Sequence, residues 1–153
     1  MTYAEFQRQF EEYAESAYKK LSTLSEPELI SLISDKKENK YGIWKGSDNY
    51  QVWRVLQEKG TVKSINPLFE IVRNLQNEYL VRYHACNALF AVAKINDDNL
   101  KGEVQYGLNK DRQVVDQQKA IAELERILAP CLNTPLNQDE PASAKPWWRR
   151  WPG

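Results

Sequence analysis

Residues that usually carry catalysis or metal binding are scarce in this chain. It has one histidine, His84, and two cysteines, Cys86 and Cys131, and their spacing fits no metal-ligand pattern. A chain with so few cysteines and no secretory leader gives no support for an oxidising compartment. We therefore expect no bound metal and a cytoplasmic location.

An excess of one charge and long apolar runs are also missing. Lysine and arginine total 21, and aspartate and glutamate total 21, so no overall field attracts nucleic acid. No apolar run approaches the roughly 20 residues that a helix needs to cross a bilayer. The composition argues against a nucleic-acid partner and against an integral membrane protein.

Catalytic sequence signatures are absent as well. The chain contains no G-x-S-x-G, Walker or dinucleotide-binding glycine pattern. We interpret Cys86 as a small buried hydrophobe and His84 as a residue on the polar seam of a packed helix. Cys131 lies in a proline-rich stretch. We expect no catalytic residue, no cofactor and no enzymatic activity.

Helical periodicity dominates the first third of the chain. From Tyr3 to Leu24, apolar residues recur at steps of three and four, which predicts an amphipathic helix with one solvent-facing side. In "SEPELISLISD", Ser25 and Glu28 have the spacing of a capping box and predict a second helix to about Asp35. We interpret residues 36 to 47 as a loop.

The middle of the chain predicts four more helices before a strong last one. Ser47 or Asp48 can cap a third helix, which Gly60 ends in the left-handed conformation. "TVKSINPLFEIVRNL" predicts a fourth helix with hydrogen bonding from about Pro67, and "EYLVRYHACNALFAVAKI" predicts a central, almost wholly apolar fifth. The weak sixth helix is interrupted by Gly102.

The seventh helix, "DRQVVDQQKAIAELERIL", is predicted to follow a stop near Gly107 and to end near Leu128. No stretch shows sustained period-two alternation, so strands have no support. The sequence predicts an all-α domain over residues 1–129, a short right-handed α-solenoid or bundle of about six to seven helices. Residues 130–153 are rich in proline and poor in large apolar residues, which predicts a flexible, disordered C-terminal tail.

An internal repeat indicates how the helices stack. In "VRYHACNALFAV", Val81 and Arg82 precede Ala85, Ala88 and Leu89, and "EKGTVKSINPLFEIV" supplies a glycine turn and an apolar helix before them. Residues 52–93 thereby resemble a HEAT-like helical repeat. The resemblance implies a short stack of helix pairs with a concave surface, in which Arg82 makes structural contacts between successive units.

The resemblance also leaves several functions open. Some HEAT-like proteins act as DNA glycosylases or as chromophore lyase subunits, so an enzyme or enzyme subunit on this scaffold is the main alternative to an adaptor. A small immunity or regulatory protein that inhibits one partner is another. A symmetric homodimer is compatible with either.

The last ten residues, "AKPWWRRWPG", form the most unusual segment. Three tryptophans flank two arginines after a proline-rich stretch, and exposed tryptophans usually contact something. The receiving surface is a protein groove, a membrane headgroup region with weak peripheral attachment, or the domain's own flank. The predicted contact residues are Trp147, Trp148, Arg149, Arg150 and Trp151.

A second aromatic segment, "KYGIWKGSDNYQVW", lies in the predicted loop and the start of the third helix. Tyr41 and Trp44 have basic neighbours and are candidates for a weaker partner contact. Trp53 is interpreted as a core residue. The sequence thus predicts a non-catalytic protein-protein interaction scaffold or adaptor, with the tail as a second contact element.

Overall fold

The computed structural model describes residues 1–34 and 51–132, and the described chain is all-helical. The helices are α1 (Tyr3–Ser22), α2 (Glu26–Ser34), α3 (Gln51–Lys59), α4 (Val62–Arg73), α5 (Tyr79–Ala93), α6 (Asp98–Tyr106) and α7 (Gln117–Leu132). The described residues form no strand, only an isolated antiparallel bridge between Leu108 and Val114. The predicted all-α class is confirmed, and the described residues contain seven helices, in agreement with the predicted six to seven.

The helices form two layers. In the first layer α1 packs on α3, α3 on α5, and α5 on α6; in the second, α2 packs on α4 and α4 on α7. Contacts between α2 and α3, α4 and α5, and α6 and α7 join the layers. From α1 to α5 consecutive helices alternate between layers, the arrangement expected of stacked helix pairs.

Polar caps explain where the second and fourth helices begin. The predicted capping box of α2 is confirmed, with Glu28 N–H donating to Ser25 Oγ (3.4 Å) and Ser25 N–H donating to Glu28 Oε1 (3.5 Å). The fourth helix predicted in "TVKSINPLFEIVRNL" is confirmed as α4, but its hydrogen bonding begins before Pro67. Thr61 Oγ1 accepts from Lys63 N–H and caps a helix that begins at Val62, so Pro67 lies inside it.

Two glycines predicted to interrupt or end helices behave differently. Gly60 does not adopt a positive φ. A glycine is needed there because neighbouring atoms leave no room for a side chain: a Cβ would lie 2.6 Å from both Leu56 O and Val92 Cγ2. Gly102 lies within α6 without interrupting it. Gly107 does end α6 in the left-handed conformation, with φ of 68°, as predicted.

The last helix is shifted along the chain relative to its prediction. It begins at Gln117 rather than at Asp111, because Asp116 Oδ1 accepts from Gln118 N–H at 3.0 Å and marks the first turn. It also continues beyond Leu128 to Leu132, and Cys131 is buried on it rather than lying in a tail. Residues 130–132 of the predicted tail thus belong to α7, and the tail over residues 133–153 stays a prediction.

The core runs between the two layers. Its largest fully buried side chain is Trp53, as the sequence predicted for this residue. The apolar α5 is the central helix, and its Arg82 is only 8% exposed, with Nε donating to Val72 O (3.3 Å). Val72 lies in the last turn of α4, where carbonyls lack helical partners, so Arg82 caps that helix with a positive charge.

Candidate interaction surfaces

The residues predicted to contact partners lie outside the described part of the chain. Trp147, Trp148, Arg149, Arg150 and Trp151 of the tail and Tyr41 and Trp44 of the aromatic segment belong to residues 133–153 and 35–50. The same holds for the predicted cap at Ser47 or Asp48 and for the loop over residues 36–47. These assignments stay predictions.

The histidine and the two thiols have environments set by burial. Burial lowers the pKa of His84, and its ring packs edge-on against Tyr83 with centroids 5.1 Å apart. Burial raises the pKa of the Cys86 thiol and of the Cys131 thiol to about 12. Both cysteines are therefore protonated near neutral pH, the form that is a poor nucleophile and a poor metal ligand. Within residues 1–34 and 51–132, no three His, Cys, Asp or Glu side chains are grouped so as to hold a metal ion.

A tyrosine surface, defined by Tyr79, Tyr83 and Tyr106, lies where α5 meets α6. Tyr79 and Tyr83 are one helical turn apart on α5 and therefore share a face of that helix, on which Tyr79 is exposed and Tyr83 is half-buried. Their ring centroids lie 6.3 Å apart, and Tyr106 of α6 lies 6.2 Å from Tyr79 and 5.9 Å from Tyr83. The three rings therefore form one continuous aromatic patch.

Hydrogen bonds hold the tyrosine surface in place. Gln105 is buried, and its Nε2 donates to Tyr83 O (3.1 Å) and to Asn87 Oδ1 (2.9 Å), which joins α6 to α5 directly beneath the rings. Partial burial and the neighbouring Tyr83 raise the pKa of Tyr106 to about 12. The Tyr106 phenol is therefore neutral at physiological pH and presents an aromatic face and a hydroxyl group without charge.

Cavities lie on both sides of the tyrosine surface. One, of about 570 Å³, has Tyr106 in its wall beside Asn99, Leu108, Lys110 and Arg112. The other, of about 430 Å³, has Tyr83 in its wall and extends to Gln57 of α3. The patch and its two cavities thus span the first layer from α3 to α6, and they mix apolar walls with polar and charged groups.

The loop between α6 and α7 forms one wall of the larger cavity and is closely hydrogen-bonded. Asn109 Oδ1 accepts from the backbone N–H groups of Asp111 (2.9 Å) and Gln113 (3.0 Å), and Asn99 Oδ1 accepts from Lys110 N–H (2.8 Å). Arg112 adopts the left-handed conformation with φ of 61°, which is uncommon for a residue other than glycine. These bonds fix the direction in which the basic side chains leave the loop.

A second exposed surface lies on α1. The aromatic face, defined by Tyr3, Phe6, Phe10 and Tyr13, has side chains that are 80%, 55%, 48% and 57% exposed, and the first buried residue of the helix is Ala17. The Phe6 and Phe10 rings stack with centroids 6.2 Å apart. The sequence predicted the apolar stripe and one solvent-facing side, but its first half is exposed on the apolar side too.

A helix that crosses a bilayer needs about 20 predominantly apolar residues. None of the helices in residues 1–34 and 51–132 is both long enough and apolar enough to cross a bilayer.

Comparison with known proteins gives no relative. No protein-family model, no curated protein and no solved structure matches the chain. The HEAT-like resemblance of residues 52–93 therefore stays a prediction from the sequence.

Proposed function

We propose that this protein is a non-catalytic interaction scaffold that binds a protein partner through the tyrosine surface of α5 and α6. The observation that carries the proposal is the continuous patch of Tyr79, Tyr83 and Tyr106, whose ring centroids lie 5.9 to 6.3 Å apart between two cavities. Tyrosine supplies a large contact area and a hydroxyl group at little entropy cost, and it is enriched at the energetic centres of protein interfaces.

The surroundings of the patch favour a protein partner over nucleic acid. The chain has no net charge, and the larger cavity places Asp98 beside Lys110 and Arg112. A groove of mixed sign repels phosphate at some positions and attracts it at others, whereas nucleic-acid sites need a consistent excess of positive charge. Mixed polar groups around an aromatic centre suit the polar rim of a protein interface.

The wider proposal keeps the predicted tail contact. Trp147, Trp148 and Trp151, with Arg149 and Arg150, are a second contact element for a protein or membrane surface, and Tyr41 and Trp44 a weaker one. A HEAT-like stack and a cytoplasmic location belong to the same proposal, supported by the alternating helix layers and by two cysteines that are free thiols.

Affinity capture with matched variants tests the proposal. The full chain, a Tyr79→Ala/Tyr106→Ala variant, a Tyr3→Ala control and a Trp147→Ala/Trp148→Ala/Trp151→Ala variant serve as baits in a native lysate that includes membranes. Tyr79 and Tyr106 are 48% and 47% exposed and Tyr3 is 80% exposed, so neither the Tyr79→Ala/Tyr106→Ala change nor the Tyr3→Ala change opens the core.

We expect a specific protein that binds the full chain and the Tyr3→Ala control and is lost with the Tyr79→Ala/Tyr106→Ala variant. Titration of the purified protein then gives an affinity loss of roughly 30-fold or more, because hot-spot aromatics contribute about 2 kcal/mol or more. A partner that binds all baits equally, or that is lost only with the tail variant, refutes the assignment to the tyrosine surface.

A further inference from the structure

The aromatic face of α1 has the spacing of a helix-pairing seam. Tyr3, Phe6, Phe10 and Tyr13 are three, four and three residues apart, as are alternating a and d positions of a heptad repeat. A strict a and d stripe is narrower than the face that a helix usually buries against a globular core. The face therefore fits one additional helix better than it fits a broad surface.

The residues beside the seam carry no charge. The flanking e and g positions are Gln7, Gln9, Ala14 and Ser16, whereas the charged residues of this half of α1 lie at b, c and f positions, of which Glu11 borders the cavity beside Phe6 and Phe10. In paired helices, charges at e and g select a different partner or repel an identical one. Uncharged flanks remove that repulsion and allow a second copy of the same helix to pair.

Packing within the chain decides the direction of such a pair. From Ala17 onward, the same stripe of α1 is buried against α3, and the Arg54 guanidinium of α3 lies 4.1 Å from the centroid of the Tyr18 ring. If the second α1 helix ran parallel, the α3 helices of the two copies would lie at the same height along the pair, and the two α3 helices would compete for the space beside the seam. An antiparallel second helix brings its α3 to the opposite end.

We propose that two copies of this chain associate through their α1 helices in an antiparallel pair. Tyr3 faces Tyr13 of the second copy and Phe6 faces Phe10 of the second copy, so a positions oppose d positions in four aromatic layers over about 15 Å of helix. The helix dipoles run in opposite directions, which also favours this arrangement. The inference is independent of the tyrosine surface and adds self-association to the proposed scaffold.

The area of the aromatic face indicates how strong the dimer is, and the charge on the outer side of α1 indicates whether a lipid surface could replace the second copy. The exposed parts of the four rings amount to roughly 500 Å² per copy, so a pair buries about 1,000 Å², close to the lower limit for a specific interface. We therefore expect a weak and reversible dimer. A lipid surface is disfavoured, because Glu5, Glu11, Glu12 and Glu15 outnumber Arg8 on the outer side of the helix, whereas membrane-surface helices are basic there.

Sedimentation measurements on the full chain test self-association. From roughly 10 to 500 µM, where a weak interface of this size associates, the mean mass should rise towards twice the monomer mass. Phe6→Glu/Phe10→Glu should stay monomeric throughout, with unchanged helix content by circular dichroism. Leu80→Glu, which places the same charge on a partly exposed apolar residue of α5, should dimerise like the wild type.

Disulfide trapping tests the direction of pairing. Phe6→Cys mixed with Phe10→Cys should give an oxidised dimer at least ten times faster than either variant alone, because antiparallel pairing brings position 6 to position 10 of the second copy. The native thiols, buried and with pKa values of about 12, do not compete. Efficient self-crosslinking of each single variant would overturn the antiparallel register. A wild type that stays monomeric, or a Phe6→Glu/Phe10→Glu variant that still dimerises, would overturn the pair itself.

Discussion

Glu26 Oε1, on the first residue of α2, accepts a hydrogen bond of 2.7 Å from the hydroxyl group of Ser64 in the first turn of α4. The same oxygen accepts from the backbone N–H of Thr61, the cap of α4, also at 2.7 Å. A carboxylate is thus held at the positive end of a neighbouring helix, and Ser64 is fully buried there. This contact joins two helices of the second layer through their N-terminal ends.

Glu26→Ala should lower the free energy of unfolding by about 1.5 to 3 kcal/mol, because it removes charge-assisted hydrogen bonds and leaves the buried Ser64 hydroxyl without its acceptor. Glu26→Gln should cost less, about 0.5 to 1.5 kcal/mol, since it keeps an acceptor oxygen but loses the charge. Urea unfolding followed by tryptophan fluorescence measures both changes.

Glu12→Ala is the matched control for these variants. The Glu12 side chain is 71% exposed and lies 3.9 Å from Arg8, so its loss should change the unfolding free energy by no more than about 0.5 kcal/mol. Equal urea midpoints for Glu26→Ala and Glu12→Ala would show that the contact between α2 and α4 contributes no stability.

Substitution by alanine should change the stability of the fold in opposite directions at Gly60 and at Gly102. Gly60→Ala should destabilise the fold by about 1 to 3 kcal/mol, because its Cβ would lie 2.6 Å from backbone and side-chain atoms that must move. Gly102→Ala should stabilise it by about 0.5 to 1 kcal/mol, since it lies within α6 and its Cβ would meet Leu108 O at an ordinary 3.5 Å. Thermal melting of both variants measures the difference, and a stable Gly60→Ala protein would contradict the close-approach interpretation.

Local sequence signals predicted the helices well, because periodicity and caps act within a few residues. Ser25 with Glu28 and Gly107 are cases in which the deciding partners lie three or four positions away. Gly60 was assigned the wrong role because a Cβ there would meet Val92 of another helix as well as the backbone oxygen of Leu56, and the sequence does not show this approach. The start of α7 was misplaced because the valines of "DRQVV" extend the apolar pattern, whereas bonds to Asn109 hold the preceding loop.

The candidate surfaces could be predicted only in part. The apolar stripe of α1 is visible in the sequence, but its exposure depends on where α3 stops covering it, at Ala17. The tyrosine surface combines Tyr83 and Tyr106, residues from two helices, and no local spacing indicates that their rings meet. The available local signal was the pair of Tyr79 and Tyr83, one turn apart on the largely apolar α5.

The two cysteines should be nearly unreactive in the folded protein. Burial raises the pKa of each from 9.0 to about 12, so at pH 8 the thiolate fraction falls by about 10³-fold. A disulfide reagent added at pH 8 should label both thiols at least about 100 times more slowly in buffer than in denaturing urea. Rapid labelling of one thiol per chain in buffer would show that α7 opens around Cys131, or that Cys86 is accessible.

The same raised pKa values predict a loss of stability at high pH. Because the folded state holds both thiols protonated, their contribution is fully present below the unfolded pKa of about 9 and is lost as pH rises towards 12. Urea unfolding at pH 8 and pH 10.5 should therefore show a smaller pH-dependent decline for Cys86→Ala/Cys131→Ala than for the wild type. An equal decline in both proteins would assign the effect to other groups, such as tyrosine.

Deleting residues 142–153 should leave the helix content and the melting temperature nearly unchanged. The described core is formed by residues of α1 to α7, and its last buried residue along the chain is Cys131. If the tail and the tyrosine surface contact the same partner, the deletion should weaken binding by roughly 10²-fold or more, since a linked second contact acts at high effective concentration. The Trp147→Ala/Trp148→Ala/Trp151→Ala variant keeps the length of the tail, so an equal loss in that variant assigns the effect to the indoles.

Unfolding on deletion would refute the tail assignment, because it would place these residues within the folded domain. Calorimetric titration of the three proteins against the captured partner, with melting curves for each, separates these outcomes.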